Sequence, residues 1–236
     1  MEVYLVRHGQ SEANAGLTKH LDSPLTDLGQ AQARLTAQYL ATQGITRAYV
    51  SPLIRTLQTM SPICAALGMD AVAFPPVCEY FSSHHPDFLT FQGLSPSEIG
   101  KRFPCVKITH EFSCDIPWWP DGFETRRTAY DRAVRVRDSL LSRFADTAEK
   151  ILIVSHADPI GHLIEAITRV EPNPDCPPWS DNCAITRLRV RARSEAESAD
   201  HHPLREGVDA HAPAEVITQN DSTHLASLYA QLEVKA

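Results

Sequence analysis

Two apolar runs in this chain end in the same kind of residue. Val3-Tyr4-Leu5-Val6 leads into Arg7-His8-Gly9, and Ile151-Leu152-Ile153-Val154 leads into Ser155-His156-Ala157. A buried strand that ends in Arg, His and Gly delivers a cation, an imidazole and an approachable backbone to one point. In an open α/β sheet, ligands collect just beyond the carboxyl ends of the strands. Side by side in a parallel sheet, the two runs would bring His8 and His156 together. After a third run, Ile45–Val50, Ser51-Pro52 reads as the opening of a helix, with Ser51 as N-cap, Pro52 at the first helical position and Arg55 in the first turn. Free N–H groups and the positive end of the helix dipole suit an anion there. A guanidinium offers phosphate oxygens planar, bidentate contacts. Glu79 ends a further segment, Ala71–Val77, and adds a carboxylate to the same edge. Two arginines, two imidazoles and helix-end amides converging on one point describe a phosphate pocket. Any one of these residues alone is more often structural or solvated. The agreement of four separate segments makes the set informative.

The elements that must position these residues are legible from periodicity. Leu28, Ala31, Leu35 and Tyr39 recur at helical steps over 27–43, with Thr26 as N-cap and Gly44 as terminator. Ile54, Leu57, Cys64 and Leu67 give the next helix a core face; Pro62 inside it should kink or split it, and Gly68 closes it. The strongest helix spans 124–144, with the stripe Ala129, Ala133, Val136, Leu140 and Phe144, and with Arg127, Arg132, Arg135 and Asp138 mostly off it. A helix over 159–168 follows the run at Ile151. Residues 184–190 alternate, as in a half-exposed strand near an edge; 214–218 read as a strand and 221–232 as holding a short helix. Strands alternating with helices argue for a mostly parallel sheet.

Residues 80–123 differ. They are rich in Phe, Pro, Trp and His, and their one periodic stretch is a short helical segment near 95–103. Long irregular segments of this kind are lids or binding loops, so this one reads as an excursion over the sheet. Packing of Trp118-Trp119 onto the body is favoured over a place in a pocket. Residues 193–213 read as a flexible polar loop, and His84, His85, His201, His202 and His211 as solvated. Lys101, Arg102, Arg126 and Arg127 read as surface charges, with a second phosphate site as the alternative.

Composition excludes several classes. With 236 residues and 43% hydrophobic content, the chain suits one large domain, or one with a lid. A net charge of −7 gives no support to a nucleic-acid or anionic-membrane partner. No run reaches the ~20 apolar residues of a membrane span, and no basic, apolar leader opens the sequence. The six cysteines form no CxxC pair, so they read as reduced thiols of a cytoplasmic protein rather than a zinc site.

The motifs resemble those of the histidine phosphatase superfamily, with its phosphoglycerate-mutase-like fold. The matching segments are Arg7-His8-Gly9 with Ser11 and Asn14; Leu25-Thr26 to Gly29 with Gln32-Ala33; Ser51-Pro52-Leu53 with Arg55 and Gln58-Thr59; Glu79; Ser155-His156; and Asn182 to Thr186. Asn220 with His224-Leu225 extends them. The resemblance implies a three-layer α/β/α sandwich with a mostly parallel sheet, a single domain over 1–236, with the excursion as a lid over the carboxyl edge. It implies that His8 attacks phosphorus to form a phosphohistidine, and that Arg7, Arg55 and His156 bind the phosphate oxygens. Ser11, Asn14 and the amides of Gly9 and Ala157 add to the phosphate site. Glu79 would be the general acid and then the base, with Glu98, Asp87 and Glu111 as fallbacks. No metal or other cofactor is implied. Ala157 departs from the Gly common after the second histidine, and its methyl crowds that approach.

The resulting expectation is a metal-independent phosphomonoester hydrolase acting on a small phosphorylated metabolite, with oligomeric state open. A phosphoglycerate-type mutase is the chief alternative; the proline run of its long insertion is missing from 80–123. A catalytically silent phosphate- or phosphopeptide-binding member is the other.

Overall fold

A computed structural model describes residues 1–80, 91–109, 112, 115, 124–169, 178–190 and 214–233. Its strands are β1 (Glu2–Arg7), β2 (Arg47–Val50), β3 (Ala71–Ala73), β4 (Val106–Lys107), β5 (Lys150–Ser155), β6 (Ile185–Val190) and β7 (Ala214–Asp221). They form one sheet in the order β4-β3-β2-β5-β1-β6-β7. The pairs among β1 to β5 are parallel, and β6 and β7 are added antiparallel. The helices are α1 (Asp27–Leu40), α2 (Ile54–Leu67), α3 (Pro96–Arg102), α4 (Arg126–Phe144), α5 (Ala157–Thr168) and α6 (Ala226–Glu233).

Successive strand side chains point to opposite faces, and both faces here are buried. Val3, Leu5, Ile151 and Ile153 pack on Val136, Leu140 and Phe144 of α4 and Leu163 and Ile164 of α5. Tyr4, Val6, Leu152 and Val154 pack on Leu40 of α1 and Leu57, Met60 and Ile63 of α2. That double burial is why β1 and β5 read as unbroken apolar runs. The result is a helix–sheet–helix sandwich, as expected, and the buried stripe of α4 is the expected one.

Several expectations need correction. α1 ends at Leu40, and a turn carries the chain to Gly44 in the left-handed region (φ 71°). α2 begins at Ile54, with Leu53 rather than Ser51 at its N-cap. It also runs unbroken through Pro62; its buried face of Leu57, Met60, Ile63 and Cys64 holds it against the sheet despite the lost backbone donor. β3 stops at Ala73 and Pro75–Val77 form a 3-10 turn, because prolines cannot donate to a ladder. β6 does lie near an edge, as expected, one strand in from β7.

Half of the excursion, including Trp118, Trp119, Asp87, Glu111, His84 and His85, lies outside the described residues, as does the loop 193–213 with His201, His202 and His211. Cys64, Cys78, Cys105 and Cys183 are free thiols. Among the described residues, no helix is long and apolar enough to cross a membrane.

Candidate active site

The register of β1 on β5 pairs Arg7 with Ser155, so the next residues, His8 and His156, lie side by side. Their ring centroids are 5.2 Å apart. Both are fully buried. His8 Nδ1 donates to its neighbour's carbonyl, Gly9 O, at 2.7 Å. That fixes the proton on Nδ1 and leaves the lone pair on Nε2, which accepts from Arg55 Nε at 3.2 Å. Burial, then the Arg55 and Arg7 charges, push the His8 pKa well below its ordinary value, so the ring is neutral.

His156 is bonded from the other side. Its Nε2 is 2.8 Å from the Ser51 hydroxyl, while Nδ1 is buried without a hydrogen-bond partner and lies 3.5 Å from Glu79 Oε2. A hydroxyl can donate or accept: if Ser51 donates to Nε2 the ring proton is on Nδ1, facing Glu79, and if Nε2–H donates to Ser51 the lone pair is there. Burial and the nearby Arg55 hold this imidazole neutral as well.

Glu79 faces both. Its Oε2 is 3.5 Å from Arg55 Nη2, its side chain is 24% exposed, and its Oε1 accepts from Tyr80 N. Burial raises its pKa above the ordinary carboxyl range; Arg55 pulls against this and the Asp158 charge adds to it. The segment that carries Glu79 is clamped. Arg132 of α4 donates to the carbonyls of Pro76 at 2.8 Å, Cys78 at 2.9 Å and Glu79 at 3.4 Å. It is itself held by Glu124. Ser155 Oγ donates to Val77 O at 2.6 Å.

The two arginines are fixed by loops. Arg55 Nη1 donates to Leu21 O at 2.8 Å and lies 3.8 Å from the buried Asp22 carboxylate. Asp22 also accepts from Ile54 N at 2.6 Å, so Asp22 caps α2 where Ser51 had been expected to. Burial pushes Asp22 up to about 6. Arg7 Nη1 donates to Ser180 O at 2.7 Å, its guanidinium lies 4.9 Å from the Trp179 ring centroid, and its buried Nε has no partner.

The remaining expected phosphate ligands divide. The Gly9 amide donates to Thr59 Oγ1 at 3.0 Å, and a Cβ at Gly9 would come within 2.4 Å of Gly29 O. Gly9 therefore serves the close approach of loop and helix, and its amide is engaged by Thr59. Ser11, buried, exchanges hydrogen bonds with Asn14 inside one turn. Asn14 Oδ1 also accepts from Asn182 Nδ2, which donates to His8 O as well. This leaves the Asn14 amide nitrogen as a donor on the rim. Ala157 opens α5, where the amide has no intrahelical acceptor. The fallback acid Glu98 is bound into the capping box of α3 with Ser95. Sequence reasoning missed Arg132, Asp22 and the Ser51–His156 bond. Arg132 had one available signal, its place directly beside the apolar stripe at Ala133 and Ala129.

His8, Glu79 and His156 each offer a ligand atom, all within 4.8 Å of one another, so the group could hold a metal ion. Arg55 lies against two of the three, 3.2 Å from His8 Nε2 and 3.5 Å from Glu79 Oε2. That arrangement suits an anion better than a cation. The site thus combines a neutral, oriented imidazole, two guanidiniums, a second imidazole and a carboxyl group of raised pKa.

Residues 3–198 match the histidine phosphatase superfamily (branch 1). The chain is 33% identical over 190 residues to a probable phosphoglycerate mutase, GpmB, of Serratia proteamaculans (strain 568), covering 80% of this chain and 84% of that one. It is 32% identical over 195 residues to the protein of the same name from Enterobacter sp. (strain 638), with the same shares covered. Among solved structures, a mycobacterial glucosyl-3-phosphoglycerate phosphatase superposes with a TM-score of 0.64 at 20% identity, covering 94% of this chain and 99% of that one. A phosphoserine phosphatase mutant from Entamoeba histolytica gives 0.59 at 19% identity, over 95% and 98% of the two chains. These likenesses agree on the fold, and the sequence match carries the family: the chain belongs to the histidine phosphatase superfamily.

Proposed function

We propose that the chain is a phosphomonoester hydrolase working through a phosphohistidine on His8. The observation that carries this reading is the His8 ring, neutral and bonded through Nδ1 to Gly9 O, with its Nε2 lone pair among Arg55, His156 and Glu79. In the first step His8 Nε2 attacks phosphorus; the P–N bond forms, the ester P–O bond breaks, and Glu79 gives its proton to the leaving oxygen. In the second, water attacks phosphorus, Glu79 takes its proton, and the P–N bond breaks to release phosphate and His8. Covalent catalysis divides one difficult displacement in two. Arg7, Arg55 and the Nδ1–H of His156 stabilise the equatorial oxygens, where charge gathers in the transition state. The Ala157 amide and the Asn14 side chain add donors. The guanidiniums supply the positive charge, so the reaction runs without a metal. Residues 1–236 act as a single domain on a small phosphorylated metabolite. The free thiols fit a reducing compartment such as the cytoplasm.

A mutase reading draws on the names of the curated relatives. Hydrolysis is favoured by Glu79, whose side chain, largely buried, keeps 24% exposure: a mutase must keep water from its phosphohistidine, and here one edge of the general base reaches solvent. Phosphate release measured with chelator present, in the intact protein and in His8→Ala, tests the reading. Chelator-resistant turnover that falls at least about ten-thousandfold in His8→Ala is expected, the scale of losing a covalent nucleophile. Efficient isomerisation of phosphoglycerates with little phosphate release would replace it with the mutase.

A further inference from the structure

Four large apolar side chains among the described residues are exposed: Leu17, Trp179, Val216 and Leu232. Two of them, Leu17 at 73% and Trp179 at 59% exposure, lie on the two loops tied together beside the site by the Asn182–Asn14 bond. Trp179 is exposed yet fixed. Its indole N–H donates to Asp181 Oδ1 at 3.0 Å. Asp181 is held in turn by Asn220, through its backbone N–H at 2.7 Å and its Oδ2 at 2.8 Å. The ring also packs on the Arg7 guanidinium. Folding gains little from ordering a solvent-facing indole this tightly. Binding gains from it, because a pre-ordered aromatic offers large contact area at low entropy cost.

We infer that Trp179 is the platform for the alcohol part of the substrate, and that the preferred esters carry a ring, sugar or aryl, rather than an acyclic acid. The inference deepens the hydrolase reading and rests on it. Position argues for it: Arg7 lies against His8 in sequence and against Trp179 in space, so the indole begins where the phosphate site ends. Charge argues for it as well. Asp181, kept ionised by the Asn220 and Trp179 bonds, borders the platform, and Asp158 acts on Glu79 and Arg7. A leaving group with its own carboxylate meets like charge there, whereas a neutral ring does not.

The test compares kcat/KM for phenyl phosphate and glucose 1-phosphate with kcat/KM for phosphoserine and 3-phosphoglycerate, in the intact protein, Trp179→Ala and Trp179→Phe. The ring-to-acyclic ratio should fall about tenfold in Trp179→Ala, the scale of a stacked aromatic contact, and fall less in Trp179→Phe, which keeps a ring but loses the bond to Asp181. A ratio unchanged in Trp179→Ala overturns the inference. That includes the case where all four esters lose rate together because Arg7 has lost its support. If the intact protein turns over none of them, the hydrolase reading fails separately. Calorimetric binding of phenylphosphonate against methylphosphonate then decides: a phenyl preference lost in Trp179→Ala supports the platform, and no preference, or one that survives, sinks it.

Discussion

The inner and outer halves of the site are built on different physics. The inner half, Arg7, His8, Arg55 and His156, is at most 8% exposed. The register of β1 on β5 and the start of α2 fix its positions, and its groups differ little in what they could do for any phosphate ester. The outer half, Asn14, Leu17 and Trp179, stands on loops at the solvent boundary. It touches the inner half through few bonds, chiefly Asn182 to His8 O and Arg7 to Ser180 O. The lesson is a division of labour: the sheet sets the reaction, and the loops choose the alcohol. Glu79 stands between, aimed inward by a clamp and only partly exposed on its other side.

Glu79 gives the sharpest way to probe that boundary. As general acid it should matter in proportion to how poorly the alcohol leaves. Glu79→Gln is expected to lower kcat on alkyl phosphates by about a hundred- to a thousandfold, and to lower it far less on an aryl phosphate with an acidic phenol. The pH profile follows from the same residues. His8 is held neutral well below its ordinary pKa, so the acid limb should lie below about 6.5. Glu79 keeps its proton above the ordinary carboxyl range and loses it as pH rises, so activity on alkyl esters should fall along that limb. Glu79→Gln should abolish the limb. Full alkyl-ester activity in Glu79→Gln would place the acid elsewhere, with Asp158 the first suspect.

Arg132 tests whether the clamp belongs to the reaction or only to the fold. Arg132→Met leaves Glu124 and three carbonyls without their partner, at a stability cost of about 3 kcal/mol, readable in a urea midpoint. If the clamp also aims Glu79, folded Arg132→Met should lose about tenfold on alkyl esters and less on aryl ones, since a small misplacement of a catalytic group is costly. Arg132→Lys should recover part of both. A destabilised protein with an unchanged alkyl-to-aryl ratio would leave Arg132 a purely structural residue.

The inner half was largely legible in the sequence, because strands buried on both faces leave a continuous apolar signature and their polar tips stand out against it. His8 and His156 stand out that way; Arg55 is read from the helix opening that follows the third run, and Glu79 from the far end of the segment after it. The supporting bonds were not legible. Asp22 caps α2 from a loop thirty-two residues away in sequence, and no local pattern encodes such a contact. Ser51 looked like an N-cap because Ser-Pro is a common helix opening; its hydroxyl is instead bound to His156, one strand across the sheet. Gly9 is read for its amide alone, and its lack of a side chain also serves the contact with Gly29. Pro62 showed how packing overrides a local breaker. Trp179 carried no periodicity at all, and loops seldom do.

Ser51 offers the smallest effect and the cleanest contrast with the rim. It is buried and bonds His156 Nε2 at 2.8 Å. Ser51→Ala removes the hydroxyl that, in the proposed mechanism, donates to Nε2 and keeps the His156 proton on Nδ1, where it can reach a phosphate oxygen. One neutral hydrogen bond is worth about 1 kcal/mol, so phosphate affinity should weaken about fivefold. The loss must be blind to the alcohol: the inhibition constant of inorganic phosphate and the KM of ring and acyclic esters should rise by the same factor. Trp179→Ala should do the reverse, changing the ester ranking. Should Ser51→Ala instead re-rank the esters, inner and outer halves are coupled through His156, and the division between a sheet that reacts and loops that select does not hold.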